Sequence, residues 1–147
     1  LCGVLDTKRL KIYESANFDK RHSINEFLQD ENNFFIVYNG KPDMVGHWTV
    51  LLLHSYDNEN KVIEYFDSFG SKTSYKPTKI KKFFVKHGFT WIENKKQLQS
   101  KESNYCGKYV VLRVLSRHVE LSKFLDLFKN RVLKPDDIVN SLVAIEF

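Results

Sequence analysis

The apolar positions of this chain change their period partway along. Between residues 34 and 69 they come in short β-branched and aromatic runs, 34–38, 47–56 and 61–69, each bounded by turn-forming residues. That pattern predicts strands. Asn39-Gly40-Lys41-Pro42-Asp43 closes the first run, and Asp57-Asn58-Glu59-Asn60 joins the other two as a hairpin. The run 47–56 is apolar almost throughout, as a central strand covered on both faces would be. From residue 106 onward the apolar positions recur at helical spacing. They predict one helix to about residue 118, a second over about 121–130, and a third after Pro135 with Ile138, Leu142, Val143 and Ile145 on its apolar side.

Shorter signals fill in the rest. Pro77 starts a helix whose face carries Ile80, Phe83, Phe84 and His87, and Gly88 stops it. Residues 89–93 return to strand. Residues 3–5 read as a short opening strand, and 17–32 as a polar stretch helical in part, with Ile24, Phe27 and Leu28 on one face. The expected fold class is therefore α+β: one domain spanning 1–147, with a mixed sheet of about five strands packed between early and late helices.

Composition narrows the function classes. The 147 residues are 42% hydrophobic and 14% aromatic, enough for a packed core rather than a disordered chain. No apolar run approaches the roughly 18 residues of a membrane span, so no membrane partner is expected. Two cysteines and five scattered histidines give neither a disulfide framework nor metal-ligand spacing, and they fit a reducing compartment. No metal and no cofactor is expected. The net charge of +5, concentrated in the lysines of 72–86, reads first as a solubilising surface and secondarily as an attraction to polyanions.

The candidate chemistry centres on the polar loop 99–105, which delivers Cys106 onto the first turn of an apolar helix. Free N–H groups and the positive end of the helix dipole favour a thiolate there. Gly107, with no side chain, lets a substrate backbone approach the sulfur. His47 opens the central strand between Gly46 and Trp48, whose indole can wall one side of the imidazole. Asp67 ends the neighbouring strand, and an antiparallel hairpin brings the two to the same edge, where a carboxylate can fix the imidazole tautomer. Gln99, seven residues before Cys106, offers a side-chain amide that with the Cys106 N–H makes a two-donor oxyanion hole; Gln97 is its rival. Singly, His47 could be a surface histidine and Asp67 a turn cap. Cys2 reads as a small residue in the opening strand.

Gly46-His47-Trp48, Phe66-Asp67-Ser68-Phe69-Gly70, Gln99 and Cys106-Gly107 together resemble the active-site set of the adenovirus protease (adenain) group, in the superfamily that also holds the SUMO-deconjugating proteases. The likeness covers roughly residues 46–116. Cys2-Gly3-Val4-Leu5-Asp6 and Asp136-Asp137-Ile138-Val139 look like the ends of proteases from Maverick/Polinton elements and virophages. The resemblance implies a papain-like, adenain-like fold and a thiol endopeptidase with catalytic Cys106, His47, Asp67 and Gln99, and substrate contacts at Gly46, Trp48 and Gly107. It also implies cleavage of capsid or other virion precursors at glycine-glycine or glycine-x sites during virion maturation, inside the host cell or virion. Apart from the resemblance, the basic segment 72–86 makes DNA an accessory activator to expect, and a monomer is expected. Adenain has Glu where Asp67 stands, and its disulfide-linked activating peptide needs a mid-chain cysteine that this chain lacks. The rival readings are a SUMO or ubiquitin-like isopeptidase of the same superfamily and a non-catalytic module on the same fold.

Overall fold

The computed structural model describes residues 11–16, 18, 22–40, 46–56 and 60–143. Its five strands lie side by side in chain order: β1 (Ile12–Glu14), β2 (Phe34–Asn39), β3 (His47–Tyr56), β4 (Lys61–Phe66) and β5 (Thr90–Glu93). β2–β3 and β3–β4 are antiparallel, while β1 and β5 run parallel to their neighbours at the two edges. The near-continuous apolar run thus occupies the centre of a mixed sheet, where both of its faces are covered.

The helices divide between those faces. α1 (Ile24–Leu28) and α2 (Thr78–Lys86) cover one, where Phe27, Ile80 and Phe84 pack on Phe35, Val37, Leu51, Ile63 and Tyr65. α3 (Cys106–Leu115), α4 (Leu121–Asp126) and α5 (Pro135–Leu142) cover the other, where Val110, Val114, Phe124 and Val139 pack on Ile36, Val50, Leu52 and Phe66. The alternation of each strand sends odd and even residues into two separate cores. Burying the two sets of side chains holds the three layers together.

Several boundaries move for identifiable reasons. β4 stops at Phe66 because Asp67 turns the chain: its carboxylate accepts the Phe69 N–H and its carbonyl accepts the Gly70 N–H, both at 2.8 Å. Gly70 follows at φ +59, with the carbonyls of Lys95 and Lys96 occupying the space a Cβ would need. α3 ends at Leu115, short of the predicted 118, where the Ser116 hydroxyl donates back to the Leu112 carbonyl at 2.7 Å. α4 ends at Asp126 rather than near 130, and the Asn130 side chain then turns the chain by accepting the Val132 and Leu133 N–H groups. Leu142 is exposed, unlike its expected place on the apolar side of α5. The predicted strand at 3–5, Cys2, most of the 57–60 turn and Ile145 lie outside the described residues. The first strand seen is β1, which its length of three residues and exposed Ile12 hid from pattern reading.

Candidate active site

Cys106, His47 and Asp67 meet at one end of the sheet. Cys106 is the first residue of α3, placed there because the loop before it is polar and the ten residues from it onward bury seven side chains or backbones on the sheet. His47 is the first residue of β3, and Asp67 follows the last residue of the antiparallel β4. His47 Nε2 lies 2.7 Å from Asp67 Oδ1, with both side chains only 3% exposed. Nε2 therefore carries the proton donated to the carboxylate, and Nδ1 is left for the thiol. Asp67 is at once the turn cap and the partner of His47, since one of its oxygens serves both.

The electrostatics favour a charged pair. Burial alone would pull His47 down, but its hydrogen bonds to Asp67 and then Cys106 outweigh that and push it up to about 9. Burial would likewise raise the Cys106 thiol. Hydrogen bonding to His47 and to the backbone N–H groups of Trp48 and Gly107 overcomes burial and holds it below its ordinary value. Phe69 and Tyr75 lie nearly parallel to the imidazole, at 4.7 and 5.3 Å between ring centres, and fix its plane.

Gln99 is buried in the wall of the same cleft. The Ser68 hydroxyl donates to its Oε1 at 2.6 Å, and its Nε2 donates to the Ser103 carbonyl at 2.9 Å. An amide nitrogen has two N–H groups, so one remains for a ligand oxygen in the cleft. Gln97 does not line the cleft, and its Nε2 donates to the Gln99 carbonyl at 2.8 Å. Gln99→Ala is expected to reduce kcat about 10²–10³-fold with little change in KM, as loss of one oxyanion donor does. Steady-state kinetics on a peptide substrate check this.

Gly46, Trp48 and Gly107 also line the cleft, which encloses about 300 Å³. At Gly46 a Cβ would run into the ring of Tyr38, which itself packs on Trp48 at 4.8 Å. Four supports escaped the sequence reading. The Trp48 N–H points at the sulfur, and Tyr75 stacks on His47. Asn94, at the end of β5, accepts the Asp67 N–H and donates to its carbonyl at 3.0 and 2.6 Å. Asp136, in the first turn of α5, accepts from the Tyr109 hydroxyl at 2.7 Å and from the Ser100 N–H at 3.2 Å, tying α3 and the loop before Cys106 to one carboxylate. The only local hint for either was a polar side chain at the end of an element.

Fold and site together define an α+β domain with a cysteine, a histidine and an aspartate in series at one end of its sheet. No family model and no curated protein matches the chain. Among solved structures it is similar to the ASFV pS273R protease, with 18% identity and a TM-score of 0.46 over 73% of this chain and 40% of that one. It is also similar to the central domain of the uncharacterized Lpg1148 protein from Legionella pneumophila, with 10% identity and a TM-score of 0.41 over 91% of this chain and 76% of that one. The chain thus spans 40% of the length of the ASFV protease.

Proposed function

We propose that this chain is a cysteine endopeptidase. One observation carries the reading: a single buried imidazole bonded to Asp67 on one side and coupled to the Cys106 thiol on the other, inside an open cleft. The Cys106 thiolate attacks the scissile carbonyl carbon and forms a tetrahedral intermediate. Its oxyanion takes the spare N–H of Gln99 and the backbone N–H of Cys106. His47 gives its Nδ1 proton to the leaving amine as the C–N bond breaks, leaving a thioester. Water, deprotonated by His47, then hydrolyses the thioester and restores the thiolate. Asp67 holds the ring in place throughout.

The motif resemblance extends the proposal to virion precursor proteins cut at glycine-rich sites, and the exposed lysines of α2 add DNA as an accessory partner. The test is peptide-library profiling of the purified chain, with and without DNA, beside ubiquitin and SUMO fluorogenic substrates and a Cys106→Ala blank. Cleavage after small residues, absent from the blank, is expected. Iodoacetamide near neutral pH should modify Cys106 well before Cys2. Equal processing by Cys106→Ala, or faster alkylation of Cys2, would overturn the assignment; turnover confined to ubiquitin or SUMO substrates would replace the target.

A further inference from the structure

A second hollow, of about 510 Å³, adjoins the catalytic cleft across Tyr75. Tyr75 lines both spaces, and its ring stacks on the imidazole. The rest of the wall that matters is Ser74, Lys76, Thr78 and Lys79. Two lysines and four hydroxyl-bearing residues, Ser15 among them, line this space, and no carboxylate lines it among the described residues. Lys79 spends one N–H on the Ala16 carbonyl at 3.2 Å and keeps two. Lys76 is exposed at the lip. The first turn of α2, which has no side-chain cap, adds positive potential of the same sign.

The reaction gives this hollow a direction. His47 protonates the leaving amine, so the part of the substrate that follows the scissile bond must pass along the flank of His47, away from the Gln99 donor. Tyr75 and the hollow are that flank. An extended chain advances about 3.3 Å per residue, and the Tyr75 ring lies 5.3 Å from the imidazole. The hollow is therefore reached by the second or third residue after the bond.

We propose that this hollow is a subsite for an acidic side chain of the substrate, on the C-terminal side of the cleaved bond, with Lys76 and Lys79 as its specificity-determining residues. The subsite rests on the endopeptidase reading above and narrows its substrates to sites followed by Asp or Glu. The residues that line it come from the ends of β1 and β2, the turn before α2 and α2 itself, so it forms only in the folded chain.

The test uses internally quenched peptides built on the best-cleaved library sequence, with Asp, Asn or Lys at each of the three positions after the bond. The ratio of kcat/KM for Asp over Lys is read within each protein, so differences in folded fraction cancel. The wild type is expected to favour Asp over Asn roughly 10-fold at low salt, since two solvent-exposed cations and a helix end contribute about two-fold each. The preference should shrink as ionic strength rises. Lys76→Glu with Lys79→Glu should reverse it towards Lys, and Lys76→Arg with Lys79→Arg should keep it. Equal wild-type rates for Asp, Asn and Lys, or a preference that survives charge reversal, would overturn the subsite and leave the protease standing. Failure to cleave any library peptide would remove the protease reading and the subsite with it.

Discussion

Asp67→Asn is expected to lower peptide cleavage by about 10²–10⁴-fold, the range lost when a general base is held in the wrong tautomer. The carboxylate accepts the Nε2 proton of His47 at 2.7 Å. An asparagine there can turn its NH₂ group to the ring, which moves the imidazole proton to Nδ1 and points it at Cys106. The neutral ring then cannot take the thiol proton. The pH profile separates this from mere misfolding. In the wild type the thiolate–imidazolium pair exists between the lowered value of Cys106 and the raised value of His47, so kcat/KM should fall on the alkaline side near pH 9. Removing the Asp67 charge and hydrogen bond should move that limb to lower pH. Stability follows the same sign: a histidine raised from 6.5 to about 9 by folding contributes fully below pH 6.5, and the contribution is lost as pH rises through 9. An unchanged rate with an unmoved alkaline limb would take Asp67 out of the mechanism.

Arg113→Ala should cost about 3–5 kcal/mol of stability, the penalty for leaving a buried charge without its partner. At about 2–4 °C per kcal/mol for a chain of this size, a thermal melt should drop by roughly 6–20 °C. Arg113 and Glu64 are both fully buried. The guanidinium donates to both Glu64 oxygens at 2.9 Å and to the carbonyls of Ser116 and Val119, and it lies 4.8 Å above the Phe124 ring. His54 adds a third contact to Glu64 at 2.8 Å. Burial would raise the Glu64 carboxyl, but hydrogen bonds from Arg113 and His54 keep it below its usual range. The pair joins the helix that carries Cys106 to the strand that leads into Asp67, so the loss should also appear as a slower kcat. Replacing both partners together, as Arg113→Met with Glu64→Leu, should be far milder, because no charge is stranded and half-exposed His54 can turn to water. A melt within a degree or two of wild type for Arg113→Ala would show that the pair is not holding the layers.

The hairpin of β3 and β4 was legible because it depends on local facts: two apolar runs, a four-residue turn between them, and the pairing that follows. That alone put His47 and Asp67 at one edge. Cys106 at a helix start was legible for a similar reason, a polar loop giving way abruptly to apolar residues at helical spacing. The same reading overran β4, where the Asp67 carboxylate takes the Phe69 N–H. It also overran α3 and α4, whose ends tighten into bonds to the third residue back, as from Arg117 to Val114 and from Leu127 to Phe124. It assigned no place to Arg113, since a charged residue in a helix reads as a solvent face until its carboxylate is known.

The sequence by itself determined the strands and helices other than β1, most of their apolar faces, and the residue types the chemistry needs. Polarity period and turn chemistry act over a few residues and leave their record in order along the chain. Tertiary structure alone decided that Asn94 clamps the backbone of Asp67 and that Asp136 braces the loop before Cys106. It also decided that Tyr75 stacks on His47, and that the hollow lined by Lys76 and Lys79 meets the cleft of Cys106 and His47 at Tyr75. Each of those contacts joins residues remote in sequence, and only the packing of two helix layers on one sheet sets their distance.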